Sequence, residues 1–283
     1  MHWSNSIREV FALTDVQVPE DQPVTAGDGT APLLSVRAIR KRFGAVQALQ
    51  GVSLDVHPGE VVALVGDNGA GKSTTIKMIS GVETPDDGEI FFEGQPVHLT
   101  SPAVAERLGI QTVYQDLALC DNLDIVSNLF LGRELHRTLI PGLPKLMRKS
   151  EMEKRAIPVL KELGINLPPL STLVASLSGG QRQTVAVARA VLWGSKLVML
   201  DEPTAALGVT QTKAVLELIE RLAGNGVAVL MISHNMTDVF QVADRIVVLR
   251  LGRTVANFVK CETSLDQVVA AITGSAEEVA IQE

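Results

Sequence analysis

The sequence predicts an α/β fold with a parallel sheet at its centre, and three observations carry that expectation. Short β-branched runs recur as VVALVG (61–66), LVML (197–200), VAVLMI (227–232) and IVVL (246–249), the texture of strands covered on both faces. Helical segments fall between them, at 72–80, 179–193 and 209–223, and such alternation argues for a layered α/β core. The third is composition: 283 residues, 46% hydrophobic and 4% aromatic, enough for one substantial core or two modest ones packed through small residues.

Taken in order, residues 1–32 mix Asp, Glu, Pro, Gly and Thr without sustained periodicity. They read as a disordered leader with a short helix around Ser6–Leu13. Alternation in LLSVRAIRKRF (33–43) predicts the first strand, and GVSLDVHPGE adds a second with a Pro58-Gly59 turn. The texture changes after Gln115. Residues 116–178 read as a helical subdomain inserted into the core, while 33–115 hold the β subdomain and a phosphate loop and 179–275 the rest of the core. Within the insert, IPGLPKLMRK is a loop broken by Pro141 and Pro144, and SEME (150–153) is a capping box opening an amphipathic helix that stops at Gly164. A helix near Ser264–Ile272 and an acidic tail, 276–283, close the chain.

Several function classes are disfavoured. A net charge of −7 gives no footprint for nucleic acid. The two cysteines, Cys120 and Cys261, form no CxxC, and the scattered histidines show no metal-ligand spacing, which suits a reducing cytosol without a structural metal. No apolar run reaches the roughly eighteen residues of a membrane-spanning helix, and the N-terminus is not a convincing signal peptide.

The strongest motif is GDNGAGKST, comprising Gly66, Asp67, Asn68, Gly69, Ala70, Gly71, Lys72, Ser73 and Thr74. It fits G-x-x-x-x-G-K-[ST] between a predicted strand and a predicted helix, the context that a phosphate loop requires. Glycines let backbone N–H groups from Asn68 to Ser73 turn inward, and the helix dipole adds to the cradle. Lys72 supplies a point charge to the β- and γ-phosphates, and the Ser73 hydroxyl suits Mg²⁺. A random chain of this length would match about once in a hundred by composition, and the flanking elements lower that further.

LVMLDEP (197–203) is an apolar strand ending in two carboxylates. Asp201 is placed to hold Mg²⁺, and Glu202 could accept a proton from an attacking water. LSGGQRQ (177–183) resembles a partial, lysine-free copy of the phosphate loop, with Ser178, Gly179, Gly180 and Gln181 opening a helix. An ordinary Ser N-cap explains Ser178, but not the GGQ that follows.

Together with a glutamine after a strand in VYQD and a late histidine in MISHN, these motifs resemble the ATP-binding cassette family in order and approximate spacing, over about 33–275. The resemblance implies a P-loop NTPase (RecA-like) α/β core with an N-terminal antiparallel β subdomain and an inserted α-helical subdomain. It implies that Phe43 stacks on adenine, that Gln115 touches Mg²⁺ and the attacking water, and that His234 contacts the γ-phosphate. It also implies that Ser178, Gly179, Gly180 and Gln181 close on the ATP of a second copy of the chain. One departure stands out: where the family usually has Asp after LDEPTAAL, this chain has Gly208.

GDNGAGKST, VYQDLALCDNLDIVSNLFLGRE and EPTAALGV are similar to the monosaccharide-import branch, of ribose, xylose and fructose type, in its single-cassette form. That likeness implies an ATPase working as a homodimer on the cytoplasmic face of the inner membrane, beneath an integral permease served by a periplasmic or lipid-anchored sugar-binding protein. The rival readings are a soluble cassette ATPase, an exporter ATPase and a non-catalytic ATP-binding regulator. The last would predict loss of Lys72, Glu202 or His234, and all three are present.

Overall fold

A computed structural model describes residues 31–137 and 146–275. They fall into two units, Ala118–Gly194 and a larger one formed by Ala31–Leu117 with the chain from Ser195 onward. The leader helix expected near Ser6–Leu13, the acidic tail and both prolines of the 140–149 loop lie outside the described residues.

In the larger unit, β1 (Leu34–Phe43) and β2 (Val46–Val56) form an antiparallel pair. β3 (Val61–Val65) follows the Pro58-Gly59 turn and is buried at every position, as a two-sided apolar run should be. α1 (Lys72–Ile79) comes next, then β4 (Asp87–Phe92), β5 (Gln95–Pro96), α2 (Pro102–Arg107) and β6 (Ile110–Val113).

The second unit contains α3 (Ile125–Leu129), a short pairing of β7 (His136–Arg137) with β8 (Leu146–Met147), α4 (Lys149–Glu162) and α5 (Gly179–Val191). Ile125, Leu129, Met152, Val174 and Val185 are fully buried in its core, and the Phe130 and Trp193 rings meet edge to face at 5.2 Å. Two expectations are corrected here. α4 is not opened by a Ser150 capping box: its N-cap is Arg148, whose carbonyl accepts from Glu151 and Met152 N–H. The N-cap falls two residues before Ser150, and Glu151, in the first turn, pairs with Arg148 and Arg155. Pro158 is tolerated inside α4 because it faces solvent, where water can serve the carbonyl it leaves unpaired. The second concerns α5, which the sequence reading gave to the core. It belongs to the helical unit, where it packs against α3 and Arg189 donates to the Ala118 carbonyl.

Back in the larger unit come β9 (Leu197–Asp201), α6 (Val209–Gly224), β10 (Ala228–Ile232), α7 (Met236–Val242), β11 (Arg245–Arg250), β12 (Arg253–Val259) and α8 (Leu265–Thr273). One sheet is four-stranded, ordered β2-β1-β4-β5 and antiparallel; the other is six-stranded, ordered β12-β11-β3-β10-β9-β6 and parallel except at the β12 edge. The parallel register places Ile232 opposite both Leu64 and Asp201, and Val113 opposite Leu200. The C-terminal tips of β3, β10, β9 and β6 therefore lie in a row, the edge where open α/β sheets bind ligands. Among the described residues no helix is long and apolar enough to cross a membrane.

Candidate nucleotide site

The loop from Gly66 to Gly71 joins β3 to α1 and turns through positive φ at Gly66, Gly69 and Gly71. α1 begins without a side-chain cap, so its first N–H groups have no intrahelical acceptor and are available to an anion. Thr75 is buried and ties the start of the helix down, its N–H and hydroxyl both donating to the Gly71 carbonyl at 2.8 and 3.0 Å. Lys72 Nζ lies across the mouth, donating to the Gly66 and Asp67 carbonyls at 2.6 and 2.9 Å. Partial burial lowers the Lys72 pKa, opposed by the negative charges of Glu202, Asp67 and Asp201.

Asp201 ends β9, and Glu202 stands one residue past it in a left-handed backbone conformation, φ 52°. That conformation is uncommon for a residue with a Cβ. It is held by the Glu202 N–H donating to the Ile232 carbonyl at 3.0 Å and the Glu202 carbonyl accepting from Ala205. A Glu202 carboxylate oxygen lies 2.6 Å from His234 Nδ1, with the imidazole largely exposed and the carboxylate mostly covered. Burial raises the Asp201 pKa, with Glu202 repulsion adding to it and Lys72 and Lys77 opposing. A half-buried carboxylate whose ionised form is disfavoured, beside a second carboxylate, is relieved by a cation. The donor set of Ser73, Asp201 and free helix N–H groups therefore suits a divalent ion with a polyphosphate. Lys77 is a cation that the sequence reading did not include; it lies on α1, just past the motif.

Gln115 is exposed in the turn that follows β6, closed by Leu117 N–H donating to the Tyr114 carbonyl. Leu117 and Ala118, at the boundary between the units, both take positive φ. Phe43 ends β1 with 42% of its surface exposed and Lys41 Nζ 5.5 Å from its ring centre, so a ring face remains open for stacking.

In the helical unit, Ser178 caps α5. Its hydroxyl accepts from Gln181 N–H at 3.3 Å, while Gln181 Oε1 accepts from Ser178 N–H at 3.0 Å. This capping box accounts for Gln181 as well as Ser178. It leaves Gly179 and Gly180, whose first-turn N–H groups lie beyond reach of any intrahelical carbonyl. Gly208 is the exposed N-cap of α6 in extended conformation, with open space where a Cβ would stand.

A phosphate loop on one strand tip and a carboxylate pair on another of the same parallel sheet define a P-loop nucleotide hydrolase. The ABC transporter family profile matches residues 49–205. The chain is 49% identical over 250 residues to the fructose import ATP-binding protein FrcA of Rhizobium meliloti, covering 87% of this chain and 95% of that one. It is 47% identical over 244 residues to the xylose/arabinose import ATP-binding protein XylG of Sulfolobus acidocaldarius, covering 86% and 95%. Among solved structures it resembles an ATP-binding cassette of an ABC transporter in its ADP conformation, at 27% identity and a TM-score of 0.72, covering 90% of this chain and all of that one. The chain belongs to the ABC transporter family and is one of its ATP-binding cassettes.

Proposed function

We propose that this chain is the ATP-hydrolysing subunit of a monosaccharide importer, coupling hydrolysis to uptake through a membrane permease. The observation that carries the reading is the row of strand tips bearing the phosphate loop, Asp201–Glu202 and His234, in a chain similar over 86–87% of its length to fructose and xylose/arabinose import ATP-binding proteins. Backbone N–H groups of residues 68–73 and Lys72 hold the β- and γ-phosphates, and Phe43 stacks on the base. Ser73, Gln115 and Asp201 would hold Mg²⁺, which when bound neutralises phosphate charge. Glu202 takes a proton from water as the water oxygen bonds to the γ-phosphorus and the bond to the ADP oxygen breaks. His234 orients Glu202 and contacts the γ-phosphate.

The start of α5, with the first-turn N–H groups of Gly179 and Gly180, faces the ATP of a second copy, so two chains close on two nucleotides and part after hydrolysis. In this reading the cassette sits peripherally on the cytoplasmic side of the membrane, against a permease supplied by a sugar-binding protein. The helical unit carries the motion to the permease through the surface beside Gln115. A strain lacking this chain should lose uptake of one labelled monosaccharide and regain it with wild-type protein but not with Lys72→Ala. Uptake of fructose, xylose, arabinose and ribose all unchanged in that strain would overturn the assignment.

A further inference from the structure

Glu202 and His234 stand on two different strand tips, and their 2.6 Å contact lies at a surface where the imidazole is 74% exposed. A pair with one partner this exposed is weakly held, because the imidazole keeps access to other rotamers and to water. Something deeper must fix the two backbones. After Glu202 the chain turns tightly through Thr204 to Leu207, with Ala206 also at positive φ and Leu207 N–H donating to the Thr204 carbonyl at 3.3 Å. After Ile232, the buried Ser233 hydroxyl accepts from Asn235 N–H, and Asn235 Oδ1 accepts from Thr237 N–H to start α7.

These two segments meet a second time, at a more buried contact. Asp238, 5% exposed and in the first turn of α7, accepts from the Thr204 hydroxyl at 2.6 Å. Such a short bond to a buried acceptor is stronger and less exchangeable than its surface counterpart. Thr204 lies two residues past Glu202 and Asp238 four past His234, so the buried bond and the catalytic contact are two rungs between the same two segments. The lower rung limits how the turn can pivot, and so keeps Glu202 in its left-handed conformation under His234.

We propose that Asp238 and Thr204 are positioning residues for ATP hydrolysis, acting through the Glu202–His234 pair without touching nucleotide. The proposal rests on the hydrolytic reading above. A wild-type chain without Mg²⁺-dependent ATP turnover would sink that reading, whereas a normal wild type with unaffected variants sinks only the link.

The test is steady-state ATP hydrolysis by the full chain. Thr204→Val keeps the volume and deletes the hydroxyl; it should lower kcat roughly tenfold or more while KM for ATP stays within about twofold. Thr204→Ser restores the donor and should bring kcat back to within about twofold of wild type. Asp238→Asn keeps an acceptor oxygen in place and should retain most of kcat, which separates it from Asp238→Ala. In a Glu202→Gln background the same Thr204→Val change should add little, because the group it positions has lost its basicity. A raised KM with unchanged kcat would overturn the proposal. So would Thr204→Ser as slow as Thr204→Val, or a full multiplicative loss in the Glu202→Gln background.

Discussion

Two glycines of the phosphate loop offer a controlled comparison, because adding one methyl group tests the fold at Gly66 and the nucleotide cradle at Gly69. At Gly66, φ 148°, a Cβ would fall far inside contact distance of the Leu249 backbone oxygen and 3.1 Å from the Ala70 Cβ. Neither neighbour can yield, since Leu249 is fully buried in the strand beside β3. Gly66→Ala should therefore reach the severe range, above about 4 kcal/mol, reserved for overpacking and backbone clash. At Gly69, φ 81°, nothing lies within 4 Å of the added carbon. The cost there is the left-handed backbone alone, about 1–2 kcal/mol, offset by about 0.4–1 kcal/mol from a stiffer unfolded chain. The remainder, about 1 kcal/mol, corresponds to a fall of about 2–4 °C in Tm for a domain of this size. The open space at Gly69 is where phosphate sits in the proposed site, so Gly69→Ala should fold and lose ATP affinity. Thermal melts with and without Mg·ATP read both effects. A Gly69→Ala protein stabilised by ATP as strongly as wild type would refute the cradle, and a Gly66→Ala protein melting normally would refute the packing argument.

Asp201→Asn removes a carboxylate whose ionisation burial opposes. Because the folded-state pKa is raised, that ionisation weakens the fold as pH rises through the group's titration range and has no effect below it. Without metal the variant should match wild type at low pH and melt at or above it near neutrality, while Mg²⁺-dependent turnover is lost. A variant less stable than wild type near neutrality would contradict the electrostatic account. Phe43→Ala, at a half-exposed position, should move stability by less than about 0.5 kcal/mol but weaken ATP binding by about 1–3 kcal/mol through lost stacking; titration calorimetry distinguishes the two. Gly208→Asp meets open space in an extended N-cap conformation and should raise stability by a few tenths of a kcal/mol. If the aspartate reaches the second copy, the Hill coefficient for ATP rises, and an unchanged coefficient counts against that contact.

The strands that carry the site were legible because they are buried on both faces: β3, β9 and β10 read as continuous apolar runs. More exposed strands were not. β12, at a sheet edge, alternates exposed and half-buried residues with Arg253 and Asn257 among them, and β4 opens on an exposed DGE, so neither stands out from loop sequence. The lengths of α1 and α6 followed from their periodicity, whereas the start of α4 did not, because the helix begins two residues before Ser150 on an Arg148 N-cap that carries no side-chain capping signal. Gln181 shows how one residue can satisfy two readings. Its place three residues after Ser178 is itself a capping-box signal, and the structure uses it so. The Thr204–Asp238 bond had no sequence signal, since nothing in the spacing of two segments 34 residues apart says that they meet.

In the proposed dimer the start of α5 from one chain completes the phosphate site of another. Glu202→Gln preserves the side-chain shape while removing the base, so it should bind ATP, turn it over very slowly and accumulate the closed dimer. Sedimentation of that variant should show a monomer alone and a long-lived dimer with Mg·ATP. Adding Ser178→Arg, which places bulk and charge at the exposed α5 N-cap, should abolish the dimer while leaving ATP binding to the phosphate loop measurable. A Glu202→Gln protein that stays monomeric at saturating Mg·ATP, or a dimer indifferent to Ser178→Arg, would contradict this shared site.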